Sequence, residues 1–230
     1  MQTKRTRKPS LKSGRRSPPI PPSAGRRPRW NGAVADRAEQ HERKRIAILQ
    51  QAAKFFDERG YYETSLADIA ESLHVTKPTL YYYVENKEDI VRQIIARAIE
   101  TVEAHAALVR ASGPNAAERL RLFVRGYVEL MNSEFGRCLL TLRRIPTSRA
   151  TRAKTAAAYR RIDAVARELL AEGIADGSIR DCDVRVAAFA LFGAMNWTPN
   201  WFHASEALTA AEAGEAIFEV FARGLTTMSS

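Results

Sequence analysis

Residues 74–89, HVTKPTLYYYVENKED, place three consecutive tyrosines directly after a Thr-Lys-Pro-Thr run. Successive side chains on a helix point about 100° apart, so three adjacent aromatics cannot all face one core. A short helix is predicted over residues 77–84, because Pro78 fits the first turn, where its missing N–H has no intrahelical partner to lose. Leu80 and Val84 lie four residues apart and are expected to face a core, which leaves another role open for the tyrosines.

Helical periodicity continues on both sides of this stretch. The first helix is predicted from Arg37 to Arg59 and ends at Gly60, and a second helix, LADIAESL, follows a capping Ser65. The turn HVT leads into the short helix, and Asn86 caps a long helix after it. A helix, a tight turn and a short second helix are typical of a helix-turn-helix motif, whose second helix enters the major groove of DNA.

The start and flank of the short helix carry the groups that DNA recognition uses. Hydroxyls and an ammonium group can reach base edges or phosphates, phenolic hydroxyls can donate to phosphate oxygens, and the next helix N-terminus attracts phosphate by its dipole. The candidates are Thr76, Lys77, Thr79, Tyr81, Tyr82, Tyr83 and Lys87. Alternatively, these tyrosines pack against the protein and the lysine is a solvated surface charge. For any single residue this alternative and DNA contact are equally favoured, but the whole set in this order favours DNA contact.

After Gly113-Pro114 the helical pattern restarts. Capping signals at Asn115, Asp183 and Thr209 open further helices, and shorter helices are predicted over 135–144 and 150–175. The predicted fold class is all-α, with an N-terminal three-helix head of the helix-turn-helix type and a C-terminal helical bundle, in a dimer. The predicted domains are a disordered basic arm (1–36), the DNA-binding head (37–86) and a ligand-binding and dimerisation body (87–230).

The basic charge of the chain is concentrated at its N-terminus. The 230 residues carry a net charge of +10, but residues 1–45 alone hold 14 Lys or Arg against 3 acids, so the remainder is nearly neutral. Six of the ten prolines lie in residues 1–36, which we predict to be disordered. A basic arm of this kind favours a polyanionic partner, most often nucleic acid.

Other classes of protein are disfavoured by what the sequence lacks. The two cysteines have no metal-ligand spacing and are interpreted as reduced thiols of a cytoplasmic protein. The longest apolar run is too short for a membrane span, and the N-terminus lacks the apolar region of a signal peptide. With four scattered histidines and no nucleophile, phosphate-loop or dinucleotide motif, we predict no enzyme, no metal and no cofactor.

Residues 46–90 resemble the DNA-binding head of tetracycline-repressor (TetR) family regulators, in Ala53 and Phe56 before the glycine, Thr-Ser before LADIAESL, VTKPTLYYYV, and NKEDI. The resemblance implies DNA contacts at Ser65, Thr76, Lys77, Thr79, Tyr81, Tyr82, Tyr83 and Lys87. Two residues depart from the family pattern: Pro78 stands where Gly or Ala is common, and Val84 stands where Phe is usual.

The same resemblance implies a homodimer that joins through the last two helices, and a ligand pocket in each body. Small residues on the apolar helix that ends at Trp197, among them Ala190 and Gly193, would allow close helix approach, although ordinary core packing is the alternative. Trp197 and Trp201 lie four residues apart and could face one cavity. The candidate ligand-binding residues are Phe123, Tyr127, Met131, Leu142, Tyr159, Phe189, Trp197 and Trp201, for which core filling is the alternative.

GAMNW and the second tryptophan resemble a subset of the family that responds to acyl-CoA thioesters, whose phosphates Arg143, Arg144 and Arg160 could meet. The predicted function is a cytoplasmic, ligand-responsive repressor that leaves its DNA operator when a small molecule binds. Two alternatives stay open: a non-specific DNA-compacting protein that uses the arm, and a helical carrier of lipid-like ligands. The sequence leaves the effector, the operator and the choice between repression and activation undetermined.

Overall fold

A computed structural model describes residues 29–142, 145, 147–203 and 208–224, without the side chains of residues 29–36 and 140. These residues form nine helices, which confirms the all-α prediction. In chain order the helices are α1 (Arg29–Glu58), α2 (Leu66–Ser72), α3 (Lys77–Tyr81), α4 (Lys87–Arg110), α5 (Ala116–Met131), α6 (Glu134–Leu142), α7 (Arg149–Ala175), α8 (Val184–Trp201) and α9 (Ala210–Arg223). Within the described residues, no helix combines the length and apolar character that a membrane span requires.

The chain divides into two compact units, Met1–His41 and Glu42–Ser230. Helix α1 begins at Arg29, eight residues before the predicted start, so the predicted disorder is wrong for residues 29–36. The last of the N-terminal prolines is Pro28, and a helix can begin directly after it. The disorder predicted for residues 1–28 lies outside the described residues. The DNA-binding groups and the cavities described below belong to the second unit.

Side-chain caps begin the helices at the predicted positions. The Ser65 hydroxyl accepts the Asp68 N–H at 3.1 Å, and the Asp68 carboxylate accepts the Ser65 N–H at 2.8 Å, which makes a reciprocal capping box at α2. Thr209 and Glu212 form the second capping box, at α9. Asn86 and Asp183 cap α4 and α8 as predicted, and Asn115 caps α5, although Glu118 there turns to Arg121 instead of back to the cap.

Helix α3 is shorter than predicted, because it ends at Tyr81 instead of continuing to about Val84. The backbone bonds tighten at this point: the Tyr82 N–H reaches the Thr79 carbonyl at 3.3 Å, and the Tyr83 N–H reaches the Leu80 carbonyl at 2.9 Å. Hydrogen bonds between residues i and i−3, as in a 3₁₀-helix, are typical of a helix terminus. The predicted inward residues Leu80 and Val84 are both buried.

Helix α8 is longer than predicted, because it continues through Pro199 to Trp201. A proline inside a helix leaves the carbonyl four residues earlier without its usual N–H donor, here the carbonyl of Met195. The Thr198 hydroxyl donates to that carbonyl at 2.8 Å, and Asn132 Nδ2 in turn donates to the Thr198 oxygen at 2.8 Å. The Thr198 hydroxyl thus replaces the missing N–H of Pro199 as a donor, and the helix continues past the proline.

Two hydrophobic clusters organise the second unit. The first lies in the bundle and joins α4, α5, α7, α8 and α9, with Phe123, Leu169, Leu191 and Met195 at its centre. The second joins the head helices to α4 and also to α6, through Cys138 and its neighbours Leu139 and Leu142. The hydrophobic cluster of the head therefore extends past the predicted boundary at residue 86 into elements of the body.

Candidate DNA-binding surface and effector cavity

The residues at the start of α3 are exposed, although the helix itself is anchored by a buried leucine. Thr76, Lys77 and Thr79 are exposed, whereas Leu80 beneath them is completely buried. The Thr76 hydroxyl accepts the Thr79 N–H at 3.3 Å, and the two threonine hydroxyls lie 2.9 Å apart. The cap thus holds both hydroxyls together at the end of the helix that a DNA-binding motif presents to base edges.

The three tyrosines occupy different environments. Tyr82 is 73% exposed and Tyr81 is 54% exposed, whereas Tyr83 is half-buried, with its ring 5.2 Å from that of Tyr82 in an edge-to-face contact. Three adjacent aromatics diverge, as helical geometry requires. Tyr81 and Tyr82 lie where a phosphate could reach their hydroxyls. Tyr83 packs in part against the hydrophobic cluster of the head, and DNA contacts at all three tyrosines stay predictions.

The Lys87 ammonium makes several contacts within the protein. Its ammonium donates to the backbone carbonyl of Tyr61 at 2.7 Å and to that of Thr64 at 2.8 Å, and it lies 4.3 Å from the centre of the Tyr61 ring. Because these carbonyls engage the charged group, the geometry indicates a positioning role for Lys87, and its DNA contact stays a prediction. The residue ties the start of α4 to the loop between α1 and α2.

Ser65 combines a cap with an exposed position at the start of α2. Its hydroxyl accepts one backbone N–H and keeps its own hydrogen for a further acceptor. The backbone N–H of Ser65 also holds the pKa of Asp68 below its ordinary value, so the carboxylate of this cap stays ionised. A DNA contact by the Ser65 hydroxyl stays a prediction.

The body contains a cavity of about 370 Å³, which we call the inner cavity. Four of the predicted ligand-binding residues line it: Tyr127, Met131, Tyr159 and Phe189. The sequence analysis missed most of its other walls, which are Leu139, Ile162, Asp163, Phe192 and Asn196. Arg160, predicted for phosphate binding, also lies on this wall, whereas Arg143 and Arg144 lie outside the described residues.

A polar pair is built into this largely apolar wall. The Tyr127 hydroxyl donates to Asn196 Oδ1 at 2.9 Å, and the Tyr127 ring contacts Phe192 edge-to-face at 5.5 Å. The Asn196 amide NH₂ is not used in that bond and can donate to a carbonyl or hydroxyl of a ligand. An apolar cavity with a few fixed polar groups is the usual form of a small-molecule site.

Four of the predicted ligand residues lie elsewhere. Phe123 is completely buried behind the wall, 5.7 Å from the Tyr127 ring, and Leu142 lines a neighbouring cavity. Trp197 and Trp201 are 64% and 47% exposed and line none of the main cavities found among the described residues.

Helix phase explains the position of the two tryptophans. Met195 is completely buried, and a residue two positions later points about 200° away from it. Phe192 and Asn196, four residues apart, face the inner cavity instead. The spacing of four residues correctly predicts that the two tryptophans share a face, but the phase set by the buried Leu191 and Met195 turns that face away from the cavity.

The outward face of α8 is apolar. Its exposed residues include Val186, Trp197 and Trp201, together with Ala190 and Gly193, whereas the exposed Phe189 lies at the wall of the inner cavity. On α9, Val220 is also exposed. Exposed aromatic residues in a contiguous stripe mark a surface that contacts a partner.

Comparison with known proteins agrees with this architecture. A family model described as bacterial regulatory proteins of the tetR family matches residues 48–94, and one described as a tetracyclin repressor-like C-terminal domain matches residues 113–225. The Fatty acid metabolism regulator protein of Bacillus subtilis is 24% identical over 198 residues, which cover 81% of this chain and 98% of that protein.

Two solved structures illustrate the shared fold. PfmR from Thermus thermophilus, a TetR family transcriptional regulator, is 29% identical with a TM-score of 0.71, and the match covers 78% of this chain and 99% of that one. AibR, solved in complex with isovaleryl coenzyme A and operator DNA, is 28% identical with a TM-score of 0.67, and the match covers 76% and 96% of the two chains. Since the two family models together span well over half of the sequence, this chain belongs to the tetracycline-repressor (TetR) family of bacterial regulatory proteins.

Proposed function

We propose that this chain acts in the cytoplasm as a homodimeric repressor that leaves its operator when a lipid-like effector, such as an acyl thioester, fills the inner cavity. The observation that carries the proposal is the presence of two features in one chain: exposed DNA-binding groups on α3, and a cavity lined by aromatics with a fixed Tyr127–Asn196 pair. The effector class is supported by the B. subtilis relative, which regulates fatty acid metabolism, and by AibR, which binds isovaleryl coenzyme A.

Operator binding depends on the exposed groups of α3. We expect Lys77→Ala together with Tyr82→Ala to abolish specific binding to an operator recovered by selection from a random DNA library, while effector binding persists. Lys54→Ala is the control, since Lys54 is an exposed lysine of α1 that pairs with Glu58. Unchanged operator affinity in the double variant would support the carrier alternative. Loss of all sequence preference after deletion of residues 1–28 would support the DNA-compacting alternative.

The effector response depends on the inner cavity. We expect acyl-CoA thioesters to release the operator from the wild-type chain, and Phe192→Trp to weaken this response by filling the cavity. Operator affinity without ligand is expected to stay within about threefold of wild type, because Phe192 lies in the body. An unchanged response in that variant would contradict the placement of the effector.

Dimerisation is assigned to the outward face of α8 and its neighbour α9. Trp197→Glu places a charge in the apolar stripe, and we expect light scattering to show single chains for this variant. Leu108→Glu is the matched control, because Leu108 is a comparably exposed large apolar residue on α4. A dimer that persists in Trp197→Glu at low micromolar concentration would contradict this interface.

A further inference from the structure

Three cavities follow one another along α7. The inner cavity shares Leu139 and Tyr159 with a middle cavity of about 280 Å³. The middle cavity shares Ile95 and Thr155 with an outer cavity of about 570 Å³. Shared walls make the three spaces neighbours in a row.

The row is longer than a compact ligand requires. Its walls on α7 extend from Ala150 in the outer cavity to Asp163 in the inner cavity. Thirteen residues of helix correspond to about 20 Å at a rise of 1.5 Å per residue. A small ligand would fill the inner cavity alone, whereas an extended amphiphile would reach from one end of the row to the other.

Charge distinguishes the two ends. In the inner cavity Arg160 and Asp163 are the charged residues of a largely apolar and aromatic wall, and the Asp163 carboxylate pairs with Arg167. The walls of the middle and outer cavities carry Arg92, Arg152 and Lys154 against the single carboxylate of Glu88. Arg92 pairs with Asp89, so the walls of the middle and outer cavities together carry two further cations, Arg152 and Lys154, against the carboxylate of Glu88.

We propose that the effector is an extended amphiphile whose apolar chain lies in the inner cavity and whose phosphate-bearing head group lies in the middle and outer cavities, against Arg152 of the middle cavity and Arg92 and Lys154 of the outer cavity. The proposal rests on the function proposed above, since it assigns an orientation and a head-group site to the effector. Arginine and lysine are the side chains that bind phosphate in most protein sites, and the aromatic walls of the inner cavity are suited to an apolar chain.

The head-group site also has a direct connection to the DNA-binding end of the molecule. Arg92 pairs with Asp89 at 2.5 Å, and Asp89 is only 4% exposed. The same carboxylate accepts the backbone N–H of Glu85, in the turn directly after α3, and the amide of Gln93, both at 3.0 Å. If a phosphate draws Arg92 away, the buried carboxylate of Asp89 loses its paired positive charge. We expect this loss to weaken the hydrogen bonds through which Asp89 holds that turn.

The head-group site is tested with two ligands that share one chain. Dodecanoyl-CoA carries phosphates and dodecanoyl-pantetheine does not, and the affinity of the full chain for each is measured by calorimetry. We expect Lys154→Ala and Arg152→Ala each to weaken dodecanoyl-CoA about threefold to tenfold and to leave dodecanoyl-pantetheine unchanged. Arg161→Ala removes a charge from the same helix, at a surface pair with Glu103, and should leave both affinities unchanged.

Ala150→Glu guards against a folding artefact, because it adds an acid to the outer wall at an exposed position in the first turn of α7, where acids are favourable. This variant should weaken dodecanoyl-CoA selectively. At equal occupancy, dodecanoyl-CoA should release the operator and dodecanoyl-pantetheine should not. Equal release by both ligands, or dodecanoyl-CoA affinity that is indifferent to Lys154→Ala, Arg152→Ala and Ala150→Glu, overturns the inference and leaves the repressor proposal intact. If neither ligand binds the wild-type chain, the lipid-like effector fails together with this inference.

Discussion

Replacing Lys87 with methionine separates a positioning role from a DNA contact. The change removes the ammonium but keeps an apolar stem over the Tyr61 ring. Two short bonds to backbone carbonyls are lost, at 2.7 and 2.8 Å. A hydrogen bond with a charged partner contributes about 1.5–3 kcal/mol, but this side chain is half-exposed and water can replace part of it. We therefore expect the free energy of unfolding to fall by about 1–2 kcal/mol in total.

The assay combines urea unfolding with operator binding across a salt series. Loss of one phosphate contact reduces the slope of log K against log salt by about 0.9, and by about 1.8 for a pair of subunits. Lys87→Met should lower the stability and weaken operator binding, because the head is less well held, but it should leave the salt slope unchanged. Lys77→Met is the matched control, because Lys77 is exposed. This variant should lose DNA affinity, while its free energy of unfolding stays within about 0.5 kcal/mol of wild type.

One outcome would refute the positioning role of Lys87. If Lys87→Met folds with wild-type stability while its salt slope falls by about 1.8, the ammonium leaves the loop and binds phosphate in the complex. Lys87 would then be a DNA-contacting residue, as the family resemblance implies.

Three further predictions concern stability. Thr198→Val leaves two polar groups without their partner in a buried site and should cost about 1–3 kcal/mol in urea unfolding, whereas Thr101→Val, at an exposed hydroxyl, should cost far less. Gly126→Ala would place a Cβ 2.1 Å from a ring carbon of His105, so we expect a loss of about 1–3 kcal/mol that His105→Ala partly restores in thermal melts. Hydrogen bonds from Thr209 lower the pKa of Glu212 in the folded state. The ionised Glu212 therefore stabilises the fold above its pKa in the unfolded chain, and this stabilisation is lost as the pH falls through its pKa in the folded protein. Glu212→Gln should flatten the decline in melting temperature below about pH 4.

Local rules predicted the starts of the capped helices well, although not the start of α1. Ser65, Asn86, Asp183 and Thr209 each act through a side chain that reaches a backbone N–H two or three residues later, so the information lies within one turn. Helix ends were predicted less accurately, since α8 passes through Pro199 with the help of a distant asparagine. A partner from the end of α5 that supports α8 cannot be identified from the sequence of α8 alone.

The candidate sites show the same division between local and long-range information. The exposure of α3 and the burial of Leu80 followed from periodicity. The role of Lys87 depends on carbonyls more than twenty residues away, which no local pattern encodes. The cavity residues were chosen by aromatic size, and half of them lie off the cavity because helix phase decides which side chains point inward.

One residue connects the cavity to the head. Leu139 lines the inner and middle cavities, and it also belongs to the hydrophobic cluster that contains Leu80 of α3 and Phe56 of α1. Close-packed clusters transmit displacement, because a shifted side chain must be accommodated by its neighbours. An effector that moves Leu139 therefore acts on the same cluster that anchors the DNA-binding helix. The apolar end of the effector has this route through α6, and the charged end has a second route through Arg92 and Asp89 to the turn after α3.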